Sequence, residues 1–133
     1  MHRVLIAGDR EYGNSANHGD YALAYRQRKR VEKLITLLYR KYGKDLVIIE
    51  GGARGADTLA RDYALGRGIP VMEFPAPWDY LPRAGGLVRN KWMLKIGKPH
   101  EVWIFHPCID ASKGSKDMAK QAVKAGLLPN VIQ

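Results

Sequence analysis

Leu46-Val47-Ile48-Ile49-Glu50-Gly51-Gly52-Ala53-Arg54-Gly55-Ala56-Asp57-Thr58-Leu59-Ala60-Arg61-Asp62-Tyr63-Ala64-Leu65 is the stretch from which the fold is read. Its first four residues form a short apolar run, the pattern of a buried strand. Its last nine read as a helix. Between them stand three glycines and an arginine. Glycine allows a positive φ and leaves no Cβ between backbone N–H groups and a ligand. A helix that begins at such a turn directs unpaired N–H groups and its positive dipole end into one space. Two readings follow from this stretch alone: an anion site, most naturally for a nucleotide phosphate, or a tight strand-to-helix turn.

The same grammar repeats on both sides. Val4-Leu5-Ile6-Ala7 is a second apolar run, ended by Gly8-Asp9-Arg10. Glu11 to Asp20 is a polar loop by composition, with His18 as its one titratable base. From Tyr21 to Tyr42 the apolar positions Val31, Leu34, Ile35, Leu38 and Tyr42 have helical spacing, and Gly43 stops the helix. Arg26, Arg28, Lys29, Arg30 and Lys33 crowd its first half; without interleaved aromatics they read as a solvated face. Ile69 to Phe74 is the next strand. The loop Pro75-Ala76-Pro77-Trp78-Asp79-Tyr80-Leu81-Pro82 follows; Trp78 and Tyr80 either stack on a base or cap the core, and for Trp78 the core is the expectation. A helix opens within Arg83-Ala84-Gly85-Gly86-Leu87-Val88-Arg89-Asn90-Lys91. Glu101 to Phe105 is a strand, Ser112 or Ser115 caps a helix reaching about Gly126, and Leu128 to Ile132 is a last strand.

This alternation predicts an α/β fold: a Rossmann-like three-layer sandwich, a mostly parallel sheet of about five strands with helices on both faces. In such sheets ligands bind at the carboxyl ends of the strands. Gly8-Asp9-Arg10, Gly51 to Asp57, Arg83 to Asn90 and Ser112 to Asp117 all fall there. Their convergence favours the anion site over the bare turn.

Bulk properties bound the function. A chain of 133 residues is expected to form one domain, residues 1–133, with a true core. The apolar run after Met1-His2-Arg3 is too short for a signal-peptide core, and no stretch has membrane-spanning length. A single cysteine, Cys108, excludes an internal disulfide and a multi-cysteine zinc site, and fits a reducing cytoplasm. The net charge of +9 favours a phosphorylated or polyanionic partner.

Arg3-Val4-Leu5-Ile6-Ala7-Gly8-Asp9-Arg10, Gly51-Gly52-Ala53-Arg54-Gly55-Ala56-Asp57, Arg83-Ala84-Gly85 with Arg89-Asn90, and Ser112-Lys113-Gly114-Ser115-Lys116-Asp117-Met118 together resemble the SLOG superfamily. That group joins DNA-processing DprA/Smf proteins with LOG-type phosphoribohydrolases, and the chain is similar to its small YspA-like branch. The resemblance implies a site for a nucleotide or nucleotide-derived signal. By it, Gly51, Gly52, Arg54 and Gly55 surround phosphate, Arg10 and Arg89 add charge with Gly8 and Asn90 beside them, and Lys113, Gly114 and Ser115 cradle the ligand. Asp57 either accepts from a ribose hydroxyl or favours its own helix N-terminus.

The resemblance also leaves two other functions open. Relatives commonly carry serine at Asp9 and often histidine at Glu50. These two carboxylates could ligate a divalent metal, contact ribose or act as acid and base. Ion pairing with Arg10 and Arg54 is the default expectation. In a phosphoribohydrolase Arg89 would hold phosphate, while Asp117, Glu50 or Asp9 would stabilise the ribosyl cation or position water. The glutamate of those hydrolases is absent here, and Asp117 is displaced from its place. A DprA-like DNA-binding role is the third reading, with nucleic acid as partner. No cofactor is required by any of them, no membrane partner is expected, and association of copies through helices is a family-level expectation.

Overall fold

The computed structural model describes residues 1–14 and 19–133; His18 lies outside them. The elements are β1 (His2–Gly8), α1 (Tyr21–Tyr42), β2 (Leu46–Glu50), α2 (Ala56–Gly66), β3 (Val71–Glu73), α3 (Gly85–Lys95), β4 (Glu101–Phe105), α4 (Lys113–Lys124) and β5 (Pro129–Ile132). Short 3-10 turns occupy Gly43–Asp45 and Ile109–Ala111.

The five strands form one all-parallel sheet in the order β3-β2-β1-β4-β5. Val4 pairs with Ile48 on one side, and Leu5 with Val102 on the other. Period-two alternation then divides the side chains. Val4, Ile6 and Ile48 face α1 and α2, packing on Val31, Ile35, Ala60 and Ala64. Leu5, Ala7, Ile49 and Ile104 face α3 and α4, packing on Met93, Leu94, Met118 and Ala122. With both faces covered, the central strands have no solvent side, which is why they read as unbroken apolar runs. The Rossmann-like α/β architecture expected from the alternation is the one present.

Details differ at the edges. β3 is shorter than Ile69–Phe74 because the Ile69 N–H caps α2 through Ala64 O, at 2.9 Å. Pro70 contributes only its carbonyl, accepting from Ile48 N–H at 3.0 Å. The loop after β1 is not wholly polar. Tyr12 is buried against Phe105, and Gly13 N–H donates to the buried Gln27 of α1 at 2.7 Å. Trp78 does not cap the core: it is 42% exposed, on the carboxyl side of the sheet.

Candidate functional site

The chain enters the sheet at its centre, moves outward through β2 and β3, then crosses back to β4 beside β1. That reversal opens a crevice beyond the carboxyl ends of β1 and β4. A cleft of about 350 Å³ occupies it. Its walls are Gly8 at the end of β1 with Asp9 and Arg10 after it, Ala53 and Asp57 from the glycine stretch, Arg83, Gly86, Arg89 and Asn90 around α3, and Ser112 to Ser115 at α4. A second lobe of about 340 Å³ adjoins it, lined by Gly51, Gly52, Arg54, Pro75 and Ala76. Arg10, Ala53, Trp78 and Arg89 line both lobes.

Two glycines make this close approach geometrically feasible. Gly55 has φ +84°, and a Cβ there would stand 2.6 Å from Arg10 C and overlap Asp9 O. The glycine stretch therefore lies directly on the loop after β1, where Ala56 N–H donates to Asp9 O at 3.3 Å. Gly51 leaves room for Arg89, whose Cζ would lie 2.8 Å from any Cβ at that position. Arg89 fills that space and donates from Nη1 to Gly51 O at 2.6 Å.

The glycine stretch is organised mainly by its own carboxylates. Asp57 Oδ2 accepts from Gly51 N–H at 3.1 Å and Ala53 N–H at 3.3 Å. Glu50 Oε1 accepts from Gly52 N–H at 2.7 Å. Backbone donors that the sequence offers to a phosphate are thus turned back onto the loop. Burial raises the Asp57 carboxyl to about 6, opposed by the nearby Arg89 charge and the two N–H donors. Glu50 is fully buried and its Oε2 has no hydrogen-bond partner among the described residues. Burial first, then the facing Glu73 carboxylate on β3, holds its carboxyl well above the usual range.

The expected ion pairs are not formed. Arg54 pairs with Glu11 at 2.7 Å, not with Glu50. Asp9 Oδ1 accepts from Glu11 N–H at 3.1 Å. The Arg10 guanidinium stands 5.5 Å from the Trp78 ring centroid. The reason is position: Glu50 is the last residue of a strand buried on both faces, out of reach of the loop's cations.

Asp117 also lies away from the lining. Its Oδ2 accepts from Asn90 Nδ2 at 3.1 Å and Gln121 Nε2 at 2.6 Å. Asn90 donates from the same nitrogen to Gly114 O at 3.2 Å, so this group ties α3 to the start of α4. Ser112 caps α4 by accepting from Ser115 N–H at 3.2 Å. Lys113 and Gly114 are exposed at that helix start, and a Cβ on Gly114 would meet nothing within 4 Å.

Gly8, Asp9, Arg10, Asp57, Arg89, Asn90, Lys113, Gly114 and Ser115 are therefore brought to one lobe, and Gly51, Gly52 and Arg54 to the other. Gly55 is packing, while Glu50 and Asp117 line neither lobe. Trp78 and Arg83 line the cleft as well, Arg83 from a stretch expected at the ligand end of the sheet and Trp78 as a ring expected either to stack on a base or to cap the core. Their signal was available: a proline-rich segment joining a strand's carboxyl end to the next helix must cross the ligand side of the sheet.

Among the described residues no group of three or more His, Cys, Asp or Glu side chains is placed to hold a metal ion. No helix among them is long and apolar enough to cross a membrane.

Comparison with known proteins agrees with this architecture. The Gene 61 protein of Mycobacterium phage D29 is 32% identical over 133 aligned residues, covering 96% of this chain and 93% of that protein. The structure of DNA processing protein A (DprA) from Streptococcus pneumoniae superposes on the whole chain with a TM-score of 0.70 at 22% identity. This chain spans half the length of DprA, and at that identity the likeness is one of fold. The profile of the YspA, cpYpsA-related SLOG family matches residues 2–80, from β1 to the aromatic loop. On that match, joined to the all-parallel sheet and its glycine stretch, the chain belongs to the YspA, cpYpsA-related SLOG family.

Proposed function

We propose that the cleft binds a nucleotide or a nucleotide-derived ligand. The observation that carries this reading is the convergence of Arg10, Arg89 and the first turn of α4 on one cleft at the β1/β4 reversal. Guanidinium groups recognise phosphate through charge-assisted hydrogen bonds, each contributing about 1.5–3 kcal/mol. The glycine stretch acts here chiefly as a scaffold. It seats Arg89 on Gly51 O and presents Ala53 and Asp57 to the cleft.

A ligand bound only by the folded protein raises its stability by about 2.7 kcal/mol at one hundred times its dissociation constant. A thermal-shift titration with mono-, di- and cyclic nucleotides tests the reading. We expect a concentration-dependent rise that Arg89→Met weakens at least tenfold in apparent affinity. A flat response to every nucleotide refutes it.

N-glycosidic hydrolysis is a second reading, favoured by one feature: the Asp57 carboxyl, raised to about 6, lines the cleft beside Arg89. Chromatography for free base after incubation with nucleoside monophosphates tests it. Release that persists undiminished in Asp57→Asn would contradict this role.

A further inference from the structure

Most of the chain's net positive charge lies outside the cleft. α1 carries seven arginines and lysines and one carboxylate, Glu32, so six of the nine net charges sit on this helix. Val31, Ile35 and Leu38 are buried against the sheet, which turns the opposite side of the helix outward. On that side Arg26, Lys29, Lys33 and Arg40 follow one another at three, four and seven residues, the spacing of one line along a helix. All four are exposed. Lys29 bridges to the half-buried Glu32 at 3.2 Å. Among the described residues Arg26, Lys33 and Arg40 are in no ion pair.

A helix face made only for solvent typically carries both signs at helical spacing. This one carries four cations in a row. From the sequence they read as a solvated face because no aromatic residues interleave with them. That reasoning disfavours a single strand, whose bases need a stacking platform. It does not disfavour a duplex, whose phosphates face outward. The structure keeps the distinction: Tyr21, Tyr25 and Tyr39 are exposed, but about a quarter-turn away from the cationic line. At about 1.5 Å per residue, Arg26 to Arg40 span about 21 Å, a length over which a B-form duplex presents about twelve phosphates.

We infer that the outer face of α1 is a docking surface for double-stranded nucleic acid, contacted along its phosphate backbone without reading of the bases. The partner is chosen by charge and shape: a straight row of cations meets a straight, rigid polyanion. This surface is separate from the cleft, since Arg26, Lys29, Lys33 and Arg40 line neither lobe.

Anisotropy titration of a labelled 20-base-pair DNA duplex with the full chain tests this. Four phosphate contacts predict an affinity that falls about 150-fold between 50 and 200 mM salt. The triple variant Arg26→Gln, Lys33→Gln, Arg40→Gln should reduce that fall to about fourfold. Lys116→Gln, Lys120→Gln, Lys124→Gln removes the same charge from the exposed side of α4 and should leave the salt dependence unchanged. So should Arg89→Met in the cleft. An equal loss in the α4 variant would show that net charge acts, not this face, and an equal loss in Arg89→Met would put the duplex in the cleft; either result overturns the proposal. Tighter binding of a single strand of the same length also overturns it. So does absence of duplex binding at 50 mM salt, and co-sedimentation with phosphatidylglycerol vesicles in that case would make the face a lipid contact instead.

Discussion

Glu50→Gln should make the protein more stable, and by an amount that grows with pH. Glu50 is fully buried; one carboxyl oxygen accepts from Gly52 N–H and the other has no partner among the described residues. Glu73 faces it in register across β2 and β3. Burial and that neighbour raise its folded-state pKa, while in the unfolded chain it titrates near 4.3. The native state therefore keeps a proton that the unfolded chain has released. Stability from this group is complete below the unfolded pKa and is lost as pH rises towards the folded one. The loss approaches about 1.4 kcal/mol per pH unit. Between pH 5.5 and 7 it amounts to about 2 kcal/mol.

Glutamine at 50 does not titrate. Its amide oxygen can accept from Gly52 N–H and its NH₂ can donate to Glu73, so the orphan position is filled. With roughly 2.1 cal/mol/K of unfolding entropy per residue over 133 residues, 2 kcal/mol is about 7 °C in Tm. Paired calorimetric scans of the wild type and Glu50→Gln at pH 5.5 and pH 7 measure the gap at each pH. The gap should widen by several degrees. Parallel curves would show that Glu50 ionises normally and that its burial is compensated by contacts other than those described.

Three further perturbations test the scaffold. Gly55→Ala puts a Cβ onto Asp9 O at a φ of +84°, so it should cost about 3 kcal/mol or more in urea unfolding; a loss below about 1 kcal/mol would mean that the two loops do not pack as described. Asn90→Ala leaves Asp117 with Gln121 alone and removes the donor to Gly114 O. A destabilisation of about 1–3 kcal/mol is expected, and an unchanged denaturation midpoint would argue against the α3–α4 tie. Trp78→Ala should lower ligand affinity in the cleft with little change in Tm, because the ring is 42% exposed; a fall in Tm of many degrees would make it a core residue after all.

Much of the architecture was legible before any coordinates. Val4 to Ala7, Leu46 to Glu50 and Val102 to Phe105 are strands because apolar runs of that length suit a sheet covered on both faces. α1 begins after Asp20, whose side chain accepts from Leu23 N–H, and ends at Gly43 with φ +55°, both local signals. Local chemistry also placed Gly8 to Arg10, Arg89 and Lys113 to Ser115 at strand and helix ends that share one side of the sheet. Side-chain partners were harder to read. Glu50 and Arg54 are four residues apart and of opposite charge, yet Arg54 turns to Glu11 and Glu50 turns inward. Nor does spacing reveal that Asp117 serves Asn90 and Gln121, or that Trp78 stands at the boundary of two lobes.

The division has a physical basis. Period, caps and glycines act over a few residues, so the chain alone specifies its strands, its helices and the end of the sheet where they converge. Partner choice depends on desolvation and on groups distant in sequence. Asp57 is driven onto Gly51 and Ala53 N–H groups because it is buried, and Arg89 is brought to Gly51 across thirty-eight positions of chain. Only the packed tertiary structure could decide that the glycine stretch turns its donors to its own carboxylates and leaves Arg10, Arg83 and Arg89 lining the cleft.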